Sequence, residues 1–294
     1  MKFGIILPNY DRAASWDALR RAAILADELG YESIWTTDHL LVPKENINPY
    51  GPMYEALVTL ALLAPLAPRV QLGTSILVLP MRNPVLAAKQ AVTIDAATNG
   101  RMILGVGVGW NEKEYGNLSA NFKNRGKRLD EHIQLLRALW SNHEVSFQGK
   151  YTQIADGYSA PLAVRGSIPI WIGGNDEPSW RRAAKFGDGW HSTGASPDQM
   201  AQGAQRIQEL RPARPITISA RLSIDFDPNT APTFQYRGKT RYRLAGPPDA
   251  IRARAREYAQ AGVQHLALTF PWEKGLDAAL AQMQQFAREL MPEL

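Results

Sequence analysis

The sequence predicts an α/β protein whose single domain, residues 1–294, folds as a (β/α)8 barrel. Eight short apolar segments alternate with eight segments of helical spacing. The apolar segments are continuous rather than alternating, which is typical of parallel strands buried on both faces. No linker divides the chain, and its length suits one barrel. An open doubly wound sheet in two domains is the alternative, and the missing linker favours the barrel over it.

Each predicted strand is a short run of aliphatic or β-branched residues that stops at a turn residue. The closing residues should therefore lie together at one end of the barrel. In chain order the predicted strands are Lys2–Pro8, Ser33–Thr37, Gln71–Leu79, Met102–Val106, Ile168–Ile172, Gly189–Ser192, Ile216–Ala220 and Gln264–Thr269.

Each strand is followed by a helix, and several helices carry a capping signal. Gly30 ends the first, Asn83-Pro84 begins the third, and Pro residues open three later ones. The predicted helices are Trp16–Leu29, Glu55–Leu66, Pro84–Thr98, Leu129–Trp140, Pro178–Phe186, one that starts at Ser196-Pro197, Pro248–Gly262 and Leu276–Leu290.

Two insertions interrupt the alternation. The first is Trp110–Asn124 together with a hairpin near residues 144–154, and the second is Ser223–Leu244. Connections of this length in a compact domain are usually functional or disordered. We expect both insertions at the carboxyl-end face of the barrel, where barrel enzymes hold their active sites.

Composition narrows the possible functions. The chain has no cysteine, which excludes disulfides, thiolate catalysis and cysteine-ligated metal sites and fits a reducing cytoplasm. We expect no signal peptide and no membrane span, because the N-terminal apolar stretch is short and no apolar run approaches 20 residues. The net charge of +5 is too diffuse to predict nucleic-acid binding, although it favours an anionic ligand.

The predicted strand ends offer few charged groups. They contain no carboxylate pair, metal-binding cluster, nucleophile elbow or phosphate-binding P-loop, so hydrolysis is poorly supported. Their Trp and Gly content suits a flat organic cofactor better. Asp38-His39 is the strongest chemical candidate, because a neutral histidine exchanges protons near neutral pH. Equally, Asp38 could cap a loop and His39 could be structural.

Two glycine-rich turns and two basic clusters are weaker signals. The alternating glycines 105, 107 and 109 could admit a planar ring or serve barrel packing, and spacing favours packing. Gly173-Gly174 precedes a helix and could bind phosphate. The alternating cations of residues 237–243 could hold a polyanionic tail or form a charged edge. The second basic cluster lies within Lys123–Arg128, near the start of a helix. Contact with a ligand, or pairing with Glu131, would explain these cations.

Taken together, seven segments of this chain resemble the luciferase-like monooxygenase superfamily. They run in the family's order through nearly the whole chain: FGIILPN, ESIWTTDHL, LGTSILVLPMRNP, GRMILGVGVGWNEKEY, RGKRLDE, IPIWIGG and GDGW. The resemblance implies a (β/α)8 barrel that binds FMN or the deazaflavin coenzyme F420. The GVGVGWNEKEY form is most similar to the F420-dependent oxidoreductase branch.

The resemblance also implies site residues. His39 and Asp38 are the catalytic candidates, with His39 as a proton donor. Ser75-Ile76 corresponds to a non-prolyl cis peptide that backs the cofactor ring. The residues implied to bind the cofactor are Asp38, Ser75, Ile76, Gly107, Val108, Gly109, Asn111, Arg125, Gly173, Gly174 and Trp190. No metal ligand is implied.

We therefore expect hydride transfer between F420 and a small organic substrate. The enzymatic alternative is an FMN-dependent monooxygenase supplied by a separate reductase. Besides the small-molecule substrate, the candidate partner is a flavin reductase or an F420 reductase. A non-catalytic flavin-binding protein is the alternative from another class. We expect a cytoplasmic homodimer with no nucleic-acid or membrane partner. The role of residues 223–244 stays open.

Overall fold

The fold is described from a computed structural model, for residues 1–211 and 213–294. The strands are β1 (Lys2–Ile6), β2 (Ser33–Thr36), β3 (Gln71–Thr74), β4 (Met102–Val106), β5 (Glu144–Gln148), β6 (Gln153–Tyr158), β7 (Ile170–Gly173), β8 (Gly189–Thr193), β9 (Thr217–Asp225), β10 (Thr233–Tyr236), β11 (Lys239–Ala245) and β12 (His265–Thr269).

The helices surround these strands. They are α1 (Trp16–Glu28), α2 (Ile47–Tyr50), α3 (Ala56–Leu63), α4 (Pro84–Ala97), α5 (Glu112–Asn117), α6 (Arg125–Ser141), α7 (Glu177–Phe186), α8 (Pro197–Leu210), α9 (Pro248–Gln260) and α10 (Leu276–Glu289). The expected capping signals operate: the Asn83 side chain accepts from the first turn of α4, and Ser196 and Gln199 form a capping box at α8.

Eight parallel strands close into a barrel, which confirms the predicted (β/α)8 architecture. The order is β1-β2-β3-β4-β7-β8-β9-β12, and β12 pairs with β1 to complete the ring. Side chains fill the barrel interior. Trp35 on β2 and Trp171 on β7 lie with ring centroids 5.0 Å apart. A Cβ on Gly73 would lie 2.2 Å from the Trp35 ring, so this glycine makes room for the indole.

Most strand bounds lie within two residues of the prediction, and two ends differ by more. β3 ends at Thr74 rather than Leu79, and beyond it only Leu77 forms an isolated bridge, to Val106, among the described residues. The peptide bond between Ser75 and Ile76 is cis. β9 extends to Asp225, well past Ala220, because β11 pairs with its outer half in parallel register. The second insertion is therefore mostly ordered strand rather than loop.

The two insertions occupy different sides of the barrel. Hairpin β10–β11 lies at the carboxyl-end face, as expected, and it turns at Arg237 and Gly238, which both have positive φ. Hairpin β5–β6 follows α6, so it starts from the opposite end of the barrel and lies along α6. There the Glu131 carboxylate accepts from the backbone N–H groups of residues 150–152. This position differs from the expected one, and the pairing of Glu131 with a nearby arginine does not form.

A buried polar chain crosses the barrel interior. His191 on β8 bonds Ser75 and Ser219, each at 2.9 Å. His265 on β12 in turn bonds Ser219 at 3.0 Å and Ser33 at 2.8 Å. Both histidine rings therefore satisfy both of their nitrogens inside the protein. Burial lowers the pKa of His265 to about 3, and burial, with His265 and Arg221 adding to it, holds the pKa of His191 well below its usual value.

These histidines predict a loss of stability in mild acid. A third, His132 in α6, is also buried, and burial lowers its pKa to about 4. Since the pKa values are depressed in the folded state, protons bind the unfolded chain first once the pH falls below about 6.5. The free energy of unfolding should then drop by roughly 1.4 kcal/mol per pH unit for each histidine. Urea unfolding at about pH 7 and about pH 5 measures this, and equal stabilities would contradict it.

No helix in the described part of the chain has the length and apolar character needed to cross a bilayer.

Candidate active site

The carboxyl ends of the barrel strands surround a cavity of about 240 Å³, which we call the mouth cavity. Its walls come from the ends of β1, β2, β8, β9 and β12, and hairpin β10–β11 lies along one side. Side chains that line it include Tyr10, Tyr50, Arg221, Tyr236, Arg241 and Tyr242. The cavity is therefore aromatic and cationic, and among the described residues no carboxylate lines it.

His39 is held by a buried carboxylate beside the mouth cavity. Its Nδ1 lies 2.6 Å from Oε2 of Glu114, and both side chains are nearly inaccessible to solvent. The other carboxylate oxygen of Glu114 accepts the backbone N–H groups of Leu40 and Leu41. Nε2 of His39 makes no hydrogen bond with the described residues. This arrangement fixes the ring and leaves Nε2 for an external partner.

The environment of Glu114 keeps it ionised. Burial alone would raise the pKa of this carboxyl, but the hydrogen bond and charge of His39 and the two backbone N–H groups lower it further than burial raises it. An ionised Glu114 accepts the Nδ1–H of His39. The neutral ring then carries an unprotonated Nε2.

Tyr50 packs on His39 and separates it from the mouth cavity. The two ring centroids are 4.3 Å apart, and the Tyr50 hydroxyl lies 2.5 Å from that of Tyr236 on the hairpin. Next to them, the Arg237 guanidinium lies 3.4 Å from the Trp110 ring centroid. The hairpin tip thus joins the loops that follow β2 and β4, and together they roof His39.

Asp38 points away from His39. Its carboxylate accepts the backbone N–H of Val78 at 2.9 Å and pairs with Arg82 at 2.6 Å. Arg82 also pairs with Glu55 at 2.8 Å. Asp38 therefore ties the β2 end to the loop after β3, which is an anchoring role, and its contact with a cofactor ring stays a prediction.

The Ser75-Ile76 segment forms a wall beside this site, and three glycines accommodate it. A Cβ on Gly107 would lie 2.5 Å from Ile76, and one on Gly173 would lie 2.8 Å from it. A Cβ on Gly105 would lie 1.9 Å from the Thr74 carbonyl oxygen. These glycines serve close packing of protein against protein, which was the interpretation that spacing favoured. They let the Ile76 side chain lie across the ends of β4 and β7.

Gly174 opens onto a second cavity of about 580 Å³ at the outer edge of the barrel, which we call the rim cavity. Asn175, Gln199, Lys239 and Arg241 also line it. Asp176 also lines this cavity, and its carboxylate accepts the Ser179 N–H as the cap of α7. The predicted phosphate turn and two cations of the hairpin thus meet at one cavity that adjoins the mouth cavity.

The remaining predicted residues contact other parts of the protein. Trp190 is fully buried and donates to the Gly174 carbonyl, so it supports the turn from behind. Asn111 caps α5 and donates to Asn46. Arg125 lies over the Phe122 ring at 3.7 Å, and the Val108 carbonyl accepts from the Tyr115 hydroxyl. Gly109 has a φ of 65° and faces Val78. These positions show protein contacts, and their roles toward a cofactor remain predictions.

The role of Glu114 as the partner of His39 was not predicted from the sequence. Glu114 lies inside the quoted GVGVGWNEKEY segment, three residues after the cap Asn111, which places it on the inward face of α5. A histidine and a carboxylate 75 positions apart carry no local signal, so only the fold joins them. Among the described residues, no group of histidines and carboxylates is placed to hold a metal ion.

Comparison with known proteins agrees with the architecture. The sequence is 32% identical over 220 residues to an F420-dependent glucose-6-phosphate dehydrogenase of Amycolatopsis mediterranei, which is 70% of this chain and 64% of that protein. The crystal structure of monooxygenase RslO1 from Streptomyces bottropensis superposes with a TM-score of 0.85 at 21% identity, covering 99% of both chains.

A second solved structure carries FMN. The oxygenating constituent of 3,6-diketocamphane monooxygenase from Pseudomonas putida, in complex with FMN, superposes with a TM-score of 0.80 at 17% identity, covering 100% of this chain and 98% of that one. Residues 1–233 match the profile described as luciferase-like monooxygenase, and this chain belongs to that family.

Proposed function

We propose that this protein is an oxidoreductase that uses coenzyme F420 to exchange a hydride with a small organic substrate. The observation that carries the proposal is the buried His39–Glu114 pair at the carboxyl-end face of a barrel of this family, in a chain that is 32% identical over 220 residues to an F420-dependent dehydrogenase. A deazaflavin, when bound, supplies a ring that accepts or donates a hydride.

The residues present suit such a cofactor. The Ser75-Ile76 wall lies next to the mouth cavity, because Arg221, which lines that cavity, donates to the Ser75 carbonyl, and we place the ring against this wall. The rim cavity offers amide and hydroxyl donors and the cations Lys239 and Arg241, which suit a phosphate and an acidic tail. The two cavities share the lining residues Thr193, Arg241 and Tyr242, so they adjoin. We propose that the acidic tail of the cofactor lies in the rim cavity and that its ring lies against the Ser75-Ile76 wall, next to the mouth cavity.

His39 would manage a proton in the reaction. Its Nε2 is the atom available to an external group, and Glu114 holds the opposite nitrogen. When a carbonyl group is reduced, the new oxygen needs a proton, and a protonated His39 can give it. In the reverse direction the neutral ring takes the proton. The Tyr50 ring packs against the His39 ring, so a ligand that reaches Nε2 would lie beside Tyr50 as well.

Oxygen dependence tests the reaction class. Purified protein is mixed with reduced F420 and a panel of ketones, aldehydes, imines and activated alkenes, with and without oxygen. Substrate-dependent oxidation of the cofactor that proceeds equally without oxygen supports hydride transfer. If product forms only in air and only with reduced FMN, the proposal fails and the alternative holds.

An FMN-dependent monooxygenase is the second candidate, because the superposed Pseudomonas putida structure contains FMN. That activity would require a separate reductase as a partner. A non-catalytic flavin-binding protein is the third candidate. The buried His39–Glu114 pair argues against it, since a binding protein has no need of a histidine fixed by a buried carboxylate.

We also propose that the chain forms a homodimer through α3 and α4. α3 has the sequence ALVTLALL, with no charged residue, and it leaves Val58 and Leu62 more than half exposed. Leu86 on α4 is 59% exposed. Exposed apolar side chains grouped on neighbouring helices are typical of a self-complementary interface.

Light scattering tests the dimer. The variant Leu62→Glu with Leu86→Glu should elute as a monomer, because the dimer interface would bury four unpaired carboxylates, two from each chain. Ala253→Glu, at an exposed position of α9 between β9 and β12, should leave the dimer intact. A monomeric wild-type protein, or a double variant that stays dimeric, would rule this interface out.

A further inference from the structure

Arg221 is a cation at the base of the mouth cavity whose hydrogen bonds all go to neutral oxygens. It donates to Thr37 Oγ1 at 3.0 Å and to the Ser75 carbonyl at 2.9 Å through Nη1, and to the Tyr10 hydroxyl at 2.7 Å through Nη2. A partly buried guanidinium normally faces a carboxylate, because its charge is costly to remove from water unpaired. None lines this cavity among the described residues.

The guanidinium also retains unused donors. An arginine carries five N–H groups in a planar fork. Three hydrogen bonds use part of them, and neither Nε nor the second N–H of Nη2 has a partner in the described chain. Two free N–H groups on a planar fork match the two oxygens of a carboxylate.

The remaining walls of the cavity indicate the body of the ligand. Tyr10, Tyr50, Phe234, Tyr236 and Tyr242 all line it. Aromatic side chains on several sides suit a flat, apolar group. The volume of about 240 Å³ limits the ligand to a small molecule.

We propose that Arg221 determines specificity by binding the carboxylate of a small, flat, largely apolar substrate in the mouth cavity. This assignment rests on the proposed function, because it places the substrate beside the cofactor. Since Arg221 also donates to the Ser75 carbonyl, a carboxylate bound to it lies next to the Ser75-Ile76 wall. Arg241 and Lys239, at the rim cavity, would then serve the anionic part of the cofactor.

Calorimetric titration with matched carboxylate and amide pairs tests the proposal. The probes are benzoate and benzamide, cinnamate and cinnamamide, and hexanoate and hexanamide, added to the full chain. At least one carboxylate should bind at least about tenfold more tightly than its amide, which is about 1.4 kcal/mol. If no carboxylate binds better than its amide, the proposal is overturned, and this comparison needs no variant.

The variants locate the effect. Arg221→Gln should weaken binding of the carboxylate about tenfold or more, whereas Arg221→Lys, which keeps the charge but loses the fork, should weaken it less. Arg254→Gln removes the same charge from the exposed surface of α9 and should bind as the wild type does. Unchanged carboxylate binding by Arg221→Gln would overturn the proposal.

Titration of the same variants with oxidised F420 separates the two assignments. If Arg221→Gln binds F420 as the wild type does and loses the carboxylate, both stand. If Arg221→Gln loses F420, this residue holds the cofactor and the substrate assignment fails, although the proposed function stands. If the wild type binds a carboxylate through Arg221 but no F420, the proposed function fails alone.

Discussion

Replacing His39 with alanine should lower the turnover number by about 10²–10⁴-fold, the usual contribution of a general acid or base, while leaving the affinity for the cofactor within about twofold. The reason is that Nε2 of His39 is the one imidazole nitrogen at the site that no protein group occupies, with Glu114 holding the other. Steady-state turnover and cofactor titration on the same preparation measure both quantities.

Glu114→Gln should reproduce most of that loss without removing the ring. The amide oxygen can still accept the Leu40 N–H, but the amide nitrogen can only donate to Nδ1, which turns His39 to the opposite tautomer. The pH profile of turnover should then change shape as well as height. A merely structural carboxylate would lower stability and leave the profile as it was.

The control for both variants is His143→Ala, on the chain just before β5, where the ring bonds only the Ser159 carbonyl. It should keep wild-type turnover. An unchanged turnover number in His39→Ala, with F420 still bound, would remove His39 from the mechanism.

Gly105→Ala should destabilise the protein severely. The new methyl group would lie 1.9 Å from the Thr74 carbonyl oxygen, a backbone atom at the end of a central strand. It cannot move away, because the Thr74 hydroxyl donates back to the Gly105 carbonyl at 2.7 Å and the two strands are joined. Overpacking of this kind costs about 1–3 kcal/mol and more where backbone must shift. We expect about 3 kcal/mol or an insoluble product.

Gly116→Ala is the matched control. Gly116 lies in α5, and an added Cβ there would contact nothing within 4 Å. Because alanine favours helices more than glycine does, this variant should be as stable as the wild type or up to about 1 kcal/mol more stable. Equal melting temperatures for Gly105→Ala and the wild type would show that β3 and β4 are not held as closely as described.

Local sequence patterns were enough to predict the barrel. Each of the eight barrel strands contains a run of at least three buried residues, so continuous hydrophobicity marks it directly. Capping residues marked helix starts for the same reason, since the cap and the groups it satisfies are a few residues apart. The signal for the Gly-Gly turn before α7 was also local, because it depended on adjacent residues. In the structure Gly174 of this turn lines a cavity that also contains cations.

The site was harder to predict because its contacts are long-range. His39 meets Glu114 across 75 positions, and Tyr50 meets Tyr236 across 186. Asp38 and His39 were predicted together as catalytic candidates, and capping of a loop by Asp38 was the alternative, because adjacent residues at a strand end point in different directions. In the structure the Asp38 carboxylate forms an ion pair with Arg82. The alternating cations of hairpin β10–β11 predicted a charged edge or a segment that binds a polyanionic tail. No neighbouring residue in the sequence indicated that the tip of this hairpin contacts Trp110.

The central claim is that this barrel binds a deazaflavin beside His39. Titration of the purified chain with oxidised F420, followed by cofactor fluorescence, tests it most directly, with FMN titrated in parallel. The account predicts that F420 binds at least about tenfold more tightly than FMN, and that Lys239→Glu with Arg241→Glu abolishes most of that preference. Tighter binding of FMN, or no binding of either cofactor, would contradict it.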